Sequence, residues 1–169
     1  MIACPADIVL TPMGLRFRSR RFACTIGRGG VTTAKREGDG ATPAGTHRIV
    51  GMLYRPDRIP RPAPWATPIV VDDLWSDASG EAHYNHMVRA PYPHSHEALR
   101  RADPLYDLVL ITDWNWPNAQ PGHGSAIFIH QWRRPGVPTE GCIALRRDHL
   151  HWIAAHLAPG ARFLVPARG

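Results

Sequence analysis

The sequence is poor in lysine, in cysteine and in long apolar runs, and each shortage excludes something. Lysine and arginine together number 20 in 169 residues, yet Lys35 is the only lysine. Cysteine occurs at Cys4, Cys24 and Cys142, an odd number too small for a disulfide scaffold, and no CxxC pair is present for a structural zinc site. At least one thiol should be free. No stretch approaches the roughly 18 to 20 apolar residues of a membrane span. The opening MIACPADIVL has neither a basic segment nor a long apolar one, so no secretory leader is expected there. Glycine (15) and proline (17) are frequent but not periodic, which excludes collagen and disfavours long helices.

What remains is an ordinary globular composition, 44% hydrophobic and 20% charged, with a length that suits one domain. The net charge of +6 is carried by arginine, which grips carboxylate or phosphate in a bidentate fork. Charge alone leaves nucleic acid, anionic lipid and carboxylate-rich polymers open as partners. The arginines are spread along the chain without a helix-turn-helix, RRM or zinc-finger pattern, which argues against nucleic acid.

Short β-rich segments read as strands at residues 7–10, 15–26 and 47–53, with alternation through Leu15, Phe17, Phe22, Cys24 and Ile26. Residues 27–45 are too rich in glycine for a regular element and read as a long ordered loop. Residues 55–68, with five prolines, read as a surface loop or lid. A short helix is expected after Ser95, with Ala98, Leu99 and Ala102 inward. Residues 105–114 and 125–130 are the expected central strands. A helix N-capped by Asp148 follows, with Leu150, Ile153, Ala154 and Leu157 at i, i+3, i+4, i+7, and RFLVP closes as a strand. The expected fold is mainly β, a sandwich of mixed sheets with a few short helices, as a single domain over residues 1–169 with its core at about 8–166.

The chemistry concentrates in residues 127–148, IFIHQWRRPGVPTEGCIALRRD. His130 ends a strand and Cys142 follows twelve residues later, after a loop with two prolines and a glycine that can fold back. A thiolate is the nucleophile in cysteine chemistry, and an imidazole beside it can take its proton. Gly141 lets backbone approach a substrate carbonyl, so its amide and that of Cys142 are candidate oxyanion donors.

The segment Thr139-Glu140-Gly141-Cys142-Ile143-Ala144-Leu145 after His130, together with GDGATPAGTHRI at residues 38–49, resembles the L,D-transpeptidase (YkuD) family over roughly residues 8–166. That resemblance implies a bacterial cell-wall enzyme that acylates Cys142 with a peptidoglycan stem peptide and passes the acyl group to an amine on a neighbouring stem. The link would be a 3-3 cross-link or the 1-3 variant from L-alanine to diaminopimelate. His130 would be the base, oriented by a backbone carbonyl, and Thr139 would shape the nucleophile loop. It further implies diaminopimelate-containing muropeptides as partners and acylation by carbapenem inhibitors. A periplasmic or envelope location follows from the substrate, with cytoplasmic precursors or recycled fragments as the alternative. No wall-binding module, metal or cofactor is expected, and a monomer is. Two positions depart from the family pattern: Glu140 stands where His or Lys is common, and Ala144 where Arg is usual.

Substrate-facing candidates are Trp132, Glu140, Arg146 or else Arg133 and Arg134 for a carboxylate, and His123, with Tyr84, Asn85 and Asn115 behind them. His83, His86, His94 and His96 raise a zinc question but lack a third ligand at a recognised spacing. Trimming of stem peptides by the same pair, with water as acceptor, is the alternative activity. A papain-like hydrolase is disfavoured because there the cysteine precedes the histidine.

Overall fold

The structure is a computed structural model that describes residues 4–167. The first strands are β1 (Ile8–Thr11), β2 (Gly14–Phe17), β3 (Arg20–Phe22) and β4 (Cys24–Thr25), followed by the short β5 (Val31–Thr32) and β6 (Thr42–Pro43). The long β7 (Gly45–Tyr54) leads through β8 (Thr67–Pro68) to β9 (Asp73–Ser76), β10 (Met87–Arg89) and β11 (His96–Ala98). Then come β12 (Leu108–Thr112), β13 (Phe128–Gln131), β14 (Ile143–Leu145), helix α1 (Arg147–His156) and β15 (Arg162–Val165).

The large sheet runs β3-β2-β1-β15-β7-β12-β13-β14-β4, with β8 on the edge of β7. It is mixed, since β1/β15, β7/β8 and β13/β14 are parallel. Its two end strands, β3 and β4, are separated in the chain by Ala23 alone, so the sheet curls until it nearly closes like a barrel. The mainly β, mixed-sheet expectation is met, with one helix among the described residues.

Strand β12 explains how the site is positioned. It is buried on both faces. Leu108 and Leu110 point into the main core with Ile49, Ile129, Ile143, Phe163 and the α1 residues Leu150 and Ile153. Val109 and Ile111 point the other way, into a second core with Trp75, Leu99, Tyr106 and Phe128 beneath the β10-β9-β11 sheet. Each such side chain contributes roughly 1.5 to 3 kcal/mol when buried. A one-residue slip would exchange the two sets, so the register is strongly specified.

Three local expectations are corrected. Residues 96–98 form β11 rather than a helix, because Glu97 pairs with Trp75 across to β9 and Leu99 seals the second core; tertiary pairing outweighs weak helical propensity. The proline-rich 55–68 segment is no lid. Ile59 and Ala66 are buried in the main core, with Ala63 and Trp65 packed against it. Helix α1 begins at Arg147 with Arg146 as N-cap and no side-chain cap; Asp148 sits in its first turn, where a carboxylate suits the helix dipole.

The β11 assignment makes Leu99 a core residue. Leu99→Ala should cost about 3 kcal/mol and lower Tm by roughly 6 to 12 °C, against almost no change for Ala98→Ser on the exposed face. Thermal denaturation followed by circular dichroism measures both.

Candidate active site

Strand register brings His130 and Cys142 to one face. On β13, Ile129 enters the main core while Phe128 and His130 point to the opposite side. The parallel pairing Ile129↔Ile143 and His130↔Ala144 gives β14 the same alternation, so Ile143 and Leu145 face the main core and Ala144 faces His130's side. Cys142 precedes Ala144 by two residues and shares its side. Imidazole and thiol are therefore offset by one pleat repeat, roughly 6 to 7 Å along the strands.

The loop before Cys142 is fixed by backbone packing. Gly141 has φ +140°, and a Cβ there would lie 2.9 Å from the Ala41 carbonyl oxygen. Gly27 is tighter still: a Cβ would meet Gly40 O at 2.2 Å and Gly141 Cα at 2.9 Å. Thr42 locks the three segments together, its Oγ1 accepting from Gly27 N–H at 3.0 Å and donating to Gly141 O at 2.8 Å. The two sequence motifs, 99 residues apart at this contact, form one structure. Asp39 holds the upstream motif in shape by accepting from the Arg36 and Ala41 amides. Thr139 donates its hydroxyl to Cys142 O and accepts from Gly141 N–H at 3.2 Å. The Gly141 amide thus rests on Thr139 rather than facing the cleft unengaged.

The thiol and the imidazole are both neutral at physiological pH. His130 Nδ1–H donates to Gln131 O at 2.8 Å, which leaves Nε2 as the acceptor nitrogen. Burial pushes the imidazole down to about 4. Cys142 Sγ donates to Ala126 O at 3.0 Å and accepts from Phe128 N–H at 3.4 Å. Burial first, and the Glu97 charge second, push this thiol up to about 12. The cysteine is thus held as a protected thiol hydrogen-bonded to Ala126. Ala126 itself has φ +51° and is held by Asn85, whose Oδ1 accepts from Ala126 N–H and Trp75 Nε1–H while its Nδ2 donates to Trp114 O and Asn115 O.

His130 and Cys142 line a cleft of about 460 Å³ with Trp132, Arg133, Thr139, Glu140 and Ala144. Several expected residues lie elsewhere. Arg146 pairs with Asp148 beside α1 and faces a different depression, with Arg20 and Trp152. His123 is exposed and only its backbone carbonyl is engaged, by Trp114 Nε1–H. Arg134 is exposed and absent from the cleft wall. Asn85 and Asn115 are loop clamps in left-handed backbone conformation, and the Tyr84 hydroxyl donates to Glu37. Neither the 55–68 nor the 83–96 segment covers the cleft; its remaining wall is Glu97, Arg101, Leu105, Tyr106, Val137 and Pro138. Glu140 lines the rim but is tied to Arg28.

Glu97, Arg101 and Tyr106 escaped the sequence reading. The Tyr106 hydroxyl donates to Glu97 Oε2 at 2.5 Å, its ring lies edge-on to His130, and the Arg101 guanidinium sits 5.1 Å over it. Nothing in local spacing links these positions, because Glu97 reaches Tyr106 only once β11 pairs with β9. Among the described residues no group of three or more His, Cys, Asp or Glu is placed to hold a metal ion. His94 instead contacts Glu81, and the Nδ1 atoms of His86 and His96 bond to nearby backbone carbonyls.

Fold and cleft together define a class: a nearly closed β sheet that presents a cysteine and a histidine from adjacent parallel strands into one groove. The chain belongs to the YkuD family of L,D-transpeptidase catalytic domains, whose family model matches residues 13–165, and it is therefore an enzyme. An L,D-transpeptidase from Mycobacterium smegmatis superposes with a TM-score of 0.43 at 13% identity, over 95% of this chain and 59% of that one. The chain thus spans somewhat less than two thirds of that protein. No curated protein matches it.

Two measurements test the site. The His130 ring should titrate near pH 4 by NMR, and a midpoint near 6.5 would contradict its burial as a neutral group. Because the unfolded chain takes up this proton from about 6.5 downwards and the folded one does not, stability should fall as pH drops through that window. Asn85→Ala strands the buried Ala126 amide and two carbonyls, for a loss of about 3 kcal/mol. Denaturant titration reads the loss.

Proposed function

We propose that this enzyme forms peptidoglycan cross-links by a ping-pong transfer through a thioester on Cys142. The observation that carries the reading is that Cys142 and His130 line one cleft, with the imidazole Nδ1 fixed on a backbone carbonyl so that Nε2 is its acceptor nitrogen. In a neutral pair the proton moves as the bond forms. The thiol turns from Ala126 O to His130 Nε2, which takes its proton while Sγ attacks the carbonyl of the donor stem peptide. The Cys142 amide faces the developing oxyanion first, and the Gly141 amide joins by leaving the long bond to Thr139. His130 then gives the proton to the departing amine of the terminal D-amino acid, and an acyl-enzyme remains. The amine of a second stem attacks the thioester and restores the thiol.

Recognition of the diaminopimelate carboxylate falls to Arg133 and Arg101. Both line the cleft, whereas Arg146 is turned away. Ala144 leaves open the space beside His130 where the family usually carries an arginine. Arg101 is held in place by Asp103, and Arg133 is exposed at the mouth. Such a substrate places the enzyme in the cell envelope. No helix among the described residues is long and apolar enough to cross a membrane.

Incubating defined disaccharide-dipeptide, tripeptide and tetrapeptide muropeptides with the wild type should yield dimers by mass spectrometry, and fragmentation distinguishes 3-3 from 1-3 joints. Cys142→Ala and His130→Ala should fold and make no product. Product from Cys142→Ala would overturn the thioester route, and trimmed monomers without dimers would reassign the enzyme as a carboxypeptidase.

A further inference from the structure

The cleft holds a carboxylate that the steps above leave unused. Glu97 is half-buried and lines the same cavity as Cys142 and His130. The other carboxylate that lines the cleft, Glu140, has Arg28, and Asp103 nearby has Arg101. Glu97 has no cationic group at ion-pair distance among the described residues, and its hydrogen-bond partner is the neutral hydroxyl of Tyr106. A partly desolvated carboxylate without a cation is costly unless a cation arrives with the substrate. The second half of the transfer brings one, because an aliphatic amine is an ammonium ion at neutral pH and must lose a proton before it can attack. His130 has a different proton to carry in this step: its Nδ1 is committed to Gln131 O, and its Nε2 is the nitrogen that must pass a proton to the departing sulfur.

We propose that Glu97 receives the ammonium group of the acyl acceptor and takes its first proton, with Tyr106 holding the carboxylate in position. The inference rests on the transpeptidase reading above. The acceptor R–NH3⁺ gives one proton to the Glu97 carboxylate, and the freed lone pair attacks the thioester carbonyl carbon. The C–N bond forms and the C–S bond breaks. A second proton passes from nitrogen through His130 Nε2 to the departing sulfur, the third stays on the amide, and Glu97 later returns its proton to solvent. Burial and the charges of Asp77 and Glu37 hold the Glu97 carboxyl above the usual carboxylate range, outweighing the Tyr106 hydrogen bond and Arg101, which makes it a stronger base than an exposed glutamate.

The test uses the acyl-enzyme formed on the full chain from a tetrapeptide muropeptide and followed by intact mass. Its decay is measured against two nucleophiles, a diaminopimelate-containing tripeptide muropeptide, which is cationic, and hydroxylamine, which is uncharged at neutral pH. Per acyl-enzyme formed, Glu97→Gln should slow attack by the cationic acceptor by at least about tenfold and attack by hydroxylamine by less than about twofold. Glu97→Asp should recover part of the loss. Tyr106→Phe, which keeps the ring against His130 and removes the hydroxyl, should show a smaller loss of the same kind. Equal slowing of both nucleophiles would mean a purely structural pair and would overturn the proposal, as would no slowing of either. Failure of the wild type to form any thioester would overturn the transpeptidase reading, and this inference with it.

Discussion

One hydroxyl group ties the catalytic half of this molecule together. Thr42 Oγ1 accepts from Gly27 and donates to Gly141, so a single side chain fixes three backbone segments that have no room for side chains of their own. A hydroxyl suits this because it is donor and acceptor at once in a space that excludes water. Remove it and one buried amide and one buried carbonyl lose their partners together, each at a cost of about 1 to 3 kcal/mol. The contact falls where Gly141 takes its positive φ and the chain passes through Cys142 into β14, whose ladder with β13 sets the register against His130. The barrel supplies rigidity, while this hydroxyl sets the geometry at the nucleophile.

The electrostatics of the site follow from the same tight packing. A thiol pushed up to about 12 beside an imidazole pushed down to about 4 cannot form a resting ion pair. Desolvation dominates both shifts, and each favours the uncharged form. On the function proposed above, the nucleophile is therefore made when a substrate carbonyl arrives, not stored beforehand. A stored thiolate would be open to oxidation and alkylation; a thiol hydrogen-bonded to Ala126 O is not. Asn85 belongs to this arrangement at one remove, since it holds Ala126 in the left-handed conformation that points the carbonyl at Sγ.

What was legible in the sequence is what depends on local chemistry. The Gly-Cys step, the strand ending at His130, the glycine-rich upstream motif and the apolar face of α1 each follow from residues close together in the chain. Glu97 and Tyr106 were not legible, because their meeting depends on β11 adding to β9, and EALRRA carries helix-forming residues that pairing with Trp75 overrides. Asn85 looked like a substrate contact because an exposed asparagine in a polar loop has that chemistry. Only its burial under Trp75 and Trp114 turns it into a clamp. Arg146 shows the opposite: it is close to Cys142 in sequence, but the turn into α1 carries it round to Asp148.

The arginine excess has the same lesson for charge. Much of it is matched by carboxylates: Arg55 with Asp57, Arg58 with Asp107, Arg89 with Asp73, Arg101 with Asp103, Arg146 with Asp148 and Arg162 with Asp7. Several of these pairs pin loops through bidentate forks, a geometry that lysine cannot supply. The sole lysine, Lys35, is buried against Asp39 behind the upstream motif, where a compact ammonium fits. Net charge therefore says little about the partner here, because many of the cations are held in such ion pairs. What matters is the sign of the groups that face the cleft: Arg133 at the mouth with Arg101 in the wall, and Glu97 in the wall opposite in sign. A groove with that pattern is suited to a ligand carrying carboxylate and ammonium on one small centre, and poorly suited to a polyanion, which the carboxylate in the wall would repel.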